Sequence, residues 1–160
     1  MRTGQAVNDY DFSTEPSDRR PGKRCAVMRA RVEKPRAFAT LMQEVLADDY
    51  RGRRLRMSGW LRSDKVAGHG AIWMRIDGPD RRMLAFDNMH SRPVHGTTPW
   101  QRYDVVLDVG TDAAIIAFGL LLDGGGALWL DEPAFDIVGP DVPTTETEKP
   151  RAPQNLDFIE

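Results

Sequence analysis

From Arg24 to Val138 the chain alternates apolar and polar residues with a period of two, in short runs broken by turn residues. A two-residue period places successive side chains on opposite faces of an extended strand, so each run presents one face to a core and one outward. In Arg53–Arg62, Leu55, Met57 and Leu61 alternate with Arg54, Arg56, Ser58 and Trp60. In Ala71–Asp77, Ile72, Met74 and Ile76 alternate with Trp73 and Arg75, and Tyr103–Val109 sets Val105 and Leu107 against Asp104 and Asp108. Leu128 and Leu130 likewise oppose Trp129 and Asp131. Turns follow at Asp77-Gly78-Pro79-Asp80, His95-Gly96-Thr97-Thr98-Pro99 and Asp123-Gly124-Gly125-Gly126, the last expected as a hairpin. Thr40–Ala47 and Ala113–Leu122 have enough helix formers to be helices. The β-branched pair Ile115 and Ile116 and the missing caps favour strands for both. The expected fold is therefore all-β: an antiparallel jelly-roll β-sandwich.

Around this body the composition changes. Residues 1–22 are polar, with Pro16, Pro21 and Gly22, and read as a flexible arm with at most one strand at Tyr10–Ser13. The sandwich is expected over 23–139, a Pro/Thr/Glu/Lys linker over 140–153, and an edge strand over 154–160. With 22 basic and 24 acidic residues, net charge -2, the chain has no general drive toward nucleic acid or an anionic membrane. The run Arg51, Arg53, Arg54, Arg56 reads as a solvated strand edge. No apolar stretch is long enough to span a bilayer, and the N-terminus lacks a secretory core, which points to the cytoplasm. The lone Cys25 excludes an internal disulfide and sits in an alternating run, as a packed thiol would.

The stretches "FATLMQEVLADDYRGRRLRMSGWLRS", "AIWMRIDG", "LAFDNMHSRPVHGTTPWQRYDVVLDV" and "FGLLLDGGGALWLDEPAFDIV" resemble a bacterial galactose-binding-like jelly roll related to carbohydrate-binding modules. Members stand alone or are fused to other modules, and some are labelled transcriptional regulators. No helix-turn-helix pattern is visible in this chain. In that kind of domain an Asn-Leu-x-Phe string often opens the sheet. The similar string here, Asn155 to Phe158, would fill the same edge in its own sandwich or in a neighbour's, giving a strand-exchanged homo-oligomer. The resemblance also implies a structural calcium, with Asp131 of "WLDEPAF" as a ligand, although the usual acidic partner on the opening strand is missing. No organic cofactor is implied.

If the outward faces belong to one sheet, Trp60, Trp73 and Trp129 form a concave surface with Arg75 and Asp87 between them. Leu84 and Phe86 would then face the core and Asp87 would point away from it. Indoles stack on the apolar faces of sugars, while a guanidinium, a carboxylate and an amide orient hydroxyls. Trp60, Trp73, Arg75, Asp87, Asn88, Arg92 and Trp129 are accordingly the candidate ligand-binding residues. Three readings stand: a binding domain for a carbohydrate-like small molecule, an enzyme on the same scaffold with Asp87 and His90 as its acid–base pair, and an assembly subunit. His90 and His95 do not have a metal-motif spacing, and nucleophile-elbow, phosphate-loop and dinucleotide signatures are missing.

Overall fold

The computed structural model describes residues 1–146. Nine strands follow in chain order: β1 (Arg2–Thr3), β2 (Tyr10–Pro16), β3 (Arg24–Ala30), β4 (Ala39–Leu46), β5 (Arg53–Asp77), β6 (Met83–Asp87), β7 (Val94–Val109), β8 (Ile115–Asp123) and β9 (Ala127–Val138). Every pairing is antiparallel, and among the described residues the only helical pieces are 3-10 turns at Val7–Asp9 and Asp48–Tyr50. The chain folds as an antiparallel jelly roll, and both segments with helical propensity are strands, β4 and β8.

The nine strands join in one continuous hydrogen-bonded sheet that folds over on itself, and the 25-residue β5 organises it by running through both of its layers, the first and second sheets of the jelly roll. Its first part, Arg53–Asp64, lies between β7 and β9, and the order continues through β3 to β2. Its second part, His69–Asp77, lies against β8, with β6 on its other side, and that sheet continues through β4 to β1. Three register shifts between Leu61 and Gly70 bend the strand, and Lys65 takes a left-handed conformation there (φ 52°). The inward set changes parity across the bend: Leu55, Met57 and Leu61 point into the core before it, and Ile72, Met74 and Ile76 after it. With Met28, Leu107, Ile116, Leu120 and Leu122, these are among the largest fully buried side chains, each worth about 1.5–3 kcal/mol of burial.

Three expectations are corrected. The first 22 residues are built into both sheets, β1 on β4 and β2 along the whole of β3, because their alternating residues complete open edges. Asp123–Gly126 is not a hairpin, since β8 and β9 do not pair with each other but lie on either side of β5. It is an arch packed backbone-to-backbone on the β5 bend, where a Cβ on Gly126 would run into the Lys65 carbonyl. In β6, the pairings Arg75↔Phe86 and Ile76↔Ala85, with a shift at Ile76/Asp77, turn Ala85 and Asp87 inward and leave Phe86 on the outer face. The start of the expected linker is ordered against the body, with Thr145 N–H donating to the Val106 carbonyl at 2.9 Å. The expected C-terminal edge strand and its exchange lie outside the described residues. Cys25 is buried beside Val27 and Trp129, and burial pushes its thiol up.

Candidate functional site

The outer face of the second sheet forms a trough of about 800 Å³. Cross-strand register builds its floor: one row reads Met42–Gly119–Trp73, and the next reads Glu44–Ala117–Arg75–Phe86. The middle strand of the trough, β8, offers only Ala117 and Gly119 at these positions, so its centre is low. At Gly119 a Cβ would be driven against the Leu41 carbonyl, which keeps that point clear. Trp73 uses the space. Its Nε1 donates to Thr40 Oγ1 at 2.7 Å, two strands away, so the indole lies across β8. Thr40 Oγ1 in turn donates to the Leu120 carbonyl at 2.8 Å. The indole is held at that one point, the residue is only 6% exposed, and its polar atom is satisfied within the protein.

The polar groups lie toward the ends. Arg75 donates to Asp77 Oδ2 through Nε (3.1 Å) and Nη2 (2.9 Å), and its side chain is 36% exposed on the trough side. Glu44, on the same row across Ala117, accepts from Arg81 at 3.0 Å. At the other end His69 Nε2 lies 2.8 Å from the Asn88 carbonyl, which can only accept, so the ring nitrogen donates. The His90 ring stacks on His69 at 6.1 Å, and Asp123 is the cross-strand partner of His69. The Tyr10 hydroxyl anchors this end, lying 3.0 Å from the Ala37 carbonyl and 3.2 Å from that of Gly124, next to the lining residues Phe38 and Asp123. Burial pushes Tyr10 up to about 12, so it remains a donor.

The structure brings Trp73, Arg75, Asn88 and His90 into this trough and puts the other candidates elsewhere. Trp60 and Trp129 are on the outer face of the first sheet, stacked with arginines: Arg19 lies 4.0 Å over Trp60, and Arg62 lies 4.3 Å from Trp129 and 5.2 Å from Trp100. Acids close that ladder, with Trp129 Nε1 donating to Glu15 and Trp100 Nε1 to Asp18. The single concave surface with three indoles is therefore corrected, because β5 carries Trp60 and Trp73 into different sheets. Asp87 is not outward-facing. Its carboxylate accepts from Arg92 (2.7 Å), Met89 N–H (2.8 Å) and Thr145 (2.6 Å), so Asp87 and Arg92 form an inward pair that closes the β6 turn.

Asp131 is fully buried and accepts from Ser17 Oγ at 2.7 Å and from the Arg20 guanidinium. Burial alone would raise this carboxyl, but Arg20 and Ser17 hold it below the usual range. Glu132 faces Arg19 instead, and no cluster of three or more His, Cys, Asp or Glu suited to an ion exists among the described residues. The Asp131 carboxylate is thus taken up by a guanidinium and a hydroxyl. No helix of the described residues is long and apolar enough to cross a membrane, which leaves β-barrel insertion unaddressed.

The fold is an antiparallel jelly roll, and solved structures similar to this chain share it. A family 16 carbohydrate binding module superposes with a TM-score of 0.60 at 14% identity, over 79% of this chain and 86% of that one. The CBM22-1 xylan-binding domain of Paenibacillus barcinonensis Xyn10C gives 0.56 at 12% identity, over 86% and 85%. TmCBM61, solved in complex with β-1,4-galactotriose, gives 0.53 at 11% identity, over 86% and 88%. No protein-family model matches the chain. In sequence it is 43% identical over 127 residues to the uncharacterized HTH-type transcriptional regulator YbfP of Bacillus subtilis (strain 168), a match over 77% of this chain. The chain spans 43% of that relative's length.

Proposed function

We propose that the domain binds a carbohydrate or carbohydrate-like molecule in the Trp73 trough without transforming it. The observation that carries this reading is the Trp73 indole reaching across β8, opposite Gly119, with its N–H committed to Thr40. The indole can therefore offer a ligand only carbon surface, which suits the C–H face of a pyranose. Arg75 and Glu44 at one end, and Asn88 and His69 at the other, are spaced to meet hydroxyls at the ring edges. The xylan-binding and galactotriose-bound neighbours make sugars the natural first ligands. Against the enzyme reading stands Asp87, whose carboxylate is occupied by Arg92, Met89 and Thr145 rather than turned to the trough. The relationship to a protein named as a transcriptional regulator favours a sensory use of the same binding event, in which a soluble sugar is an input signal.

The test is a thermal-shift titration with xylohexaose and β-1,4-galactotriose. A ligand that binds only the native state raises the melting temperature saturably. The expected result is such a rise with one of these sugars and its loss in Trp73→Ala. No shift from a broad panel of oligosaccharides, with folded protein, would overturn the reading in favour of a protein partner.

A further inference from the structure

The outer face of the first sheet has a depression of its own. The row Asp104–Ser58–Ala134 carries small side chains on β5 and β9, and it lies between two rows of larger ones, Val106–Arg56–Asp136 and Arg102–Trp60. Beside it β9 bulges. Ser58 pairs with Ala134 but Trp60 pairs with Asp131, so β9 takes up an extra residue there, and Glu132 adopts a left-handed conformation (φ 53°). The outcome is a concavity of about 240 Å³ whose lining includes Ser58, Trp60, Arg102, Glu132, Ala134 and Asp136.

Its polar groups are held in place without being used up. Three of the four tryptophans commit their N–H within the protein, Trp73 to Thr40, Trp100 to Asp18 and Trp129 to Glu15. Trp60 is fixed by the Arg19 guanidinium, 4.0 Å over its ring, and its N–H has no acceptor among the described residues. Ser58 is only 4% exposed, and its Oγ likewise has no partner among the described residues. Groups of this kind normally find a partner when the protein can supply one. Each charged group is paired through one atom and keeps others spare. Glu132 accepts from Arg19 through Oε2, Asp136 accepts from Arg56 through Oδ2, and Arg102 donates to Asp104 through Nε. Oε1 of Glu132, Oδ1 of Asp136 and both terminal nitrogens of Arg102 are left to meet a ligand.

We infer that this concavity is a second ligand site, on the sheet opposite the trough, for a neutral polyhydroxyl molecule of one-ring size: a single pyranose or a small polyol. The site stands independently of the trough reading. Donors at Trp60 and Arg102 face acceptors at Glu132 and Asp136 across Ser58, which serves as either. Neighbouring hydroxyls on one carbon skeleton both donate and accept, so they match this mixture where a purely anionic or cationic ligand would meet half of it with the wrong sign. The volume lies below the roughly 300–1,000 Å³ of sites for drug-sized ligands, which limits the occupant to one ring. An affinity of about 1 mM is expected for so small a contact.

The experiment follows the indole N–H signals of the full chain in proton–nitrogen correlation spectra, each assigned by its loss in the matching Trp→Phe variant. The protein is titrated with D-galactose, D-xylose and glycerol to about 50 mM, enough to saturate a site of about 1 mM affinity. The Trp60 signal should shift saturably with at least one of the three. Ala134→Leu, at an exposed position, fills the depression without touching the core and should abolish that shift. Ser58→Ala removes one hydroxyl and should weaken binding about three- to tenfold. No saturable movement of the Trp60 signal with any of the three, in folded protein, overturns the second site and leaves the trough reading standing. A response carried by the Trp73 signal alone assigns the ligand to the trough and overturns it as well. A Trp60 shift that survives Ala134→Leu unchanged puts the ligand outside this concavity and refutes the assignment. A Trp60 response in protein whose trough takes no oligosaccharide supports the second site and removes only the trough reading.

Discussion

The lock between Trp73 and Thr40 can be tested by a double-mutant cycle, because its two ends are not equivalent. Thr40→Val removes the acceptor for an indole N–H on a side chain that is 6% exposed. Leaving a buried donor unsatisfied costs about 1–3 kcal/mol. Trp73→Phe removes the donor instead, but the Thr40 hydroxyl still donates to Leu120, so no polar group is orphaned. That substitution should cost about 0.5–1.5 kcal/mol for the lost hydrogen bond, plus a small packing loss. In Thr40→Val/Trp73→Phe the orphan disappears, so the combined cost should fall short of the sum by about 1 kcal/mol. For a domain of this size each 1 kcal/mol is about 2–4 °C, so Thr40→Val should melt about 2–12 °C below wild type. Urea unfolding of the four proteins, monitored by far-UV circular dichroism, gives the cycle. Additivity within about 0.3 kcal/mol, or a Thr40→Val cost below about 0.5 kcal/mol, would show that the indole is not pinned to Thr40.

Gly119→Val should abolish trough binding and cost about 1–3 kcal/mol, since its Cβ meets the Leu41 carbonyl; calorimetry and urea unfolding separate the two effects. Trp60→Phe and Trp129→Phe should leave trough affinity within about twofold, because a ring on the other sheet has no contact with the ligand, and a larger loss would contradict the two-face arrangement. Asp87→Asn should weaken the fold by about 2–4 kcal/mol without a specific loss of binding, as expected for a buried ion pair; unfolding curves and ligand titration check this. Asp131 is held below the usual carboxylate range in the folded protein, so its contribution is complete above the unfolded-state value of about 3.9 and is lost as pH falls through the lower folded value. Arg20→Gln should therefore destabilise the domain at pH 7 and flatten its acid-side stability loss, as read by melting temperature against pH.

Alternation made the strands legible, because a sheet with one buried face writes its period into the chain. It also marked the core side of β5, β7 and β9 through their large aliphatics, but not the burial of the opposite face, where Ser58, Val106, Trp129 and Asp131 are buried as well. It could not say which sheet each strand joins, and this is why Trp60, Trp73 and Trp129 looked like one surface. On β6 the rule failed for a physical reason. Phe86 is more apolar than its neighbours but serves the trough, while Asp87 turns inward and is neutralised by Arg92, five residues on, and by Thr145. Thr40, Met42, Glu44, Gly119 and Leu121 went unnoticed as site residues because each looks like an ordinary strand position. Only the pairing of β4 with β8 and β8 with β5 places them beside Trp73. The small residues Ala117 and Gly119 in an otherwise bulky strand were the available hint.

The parity change in β5 has a consequence for how this chain can vary. The bend acts as a phase shifter, so the number of residues between Leu61 and Gly70 decides whether odd or even positions downstream face the solvent. Removing one residue near Lys65 would not merely shorten a loop. It would rotate the downstream strand by half a period, sending Trp73 and Arg75 toward the interior and Ile72, Met74 and Ile76 to the outside. Length changes of one residue should therefore be forbidden in this short stretch, whereas compensated changes that restore the phase would leave the trough in place.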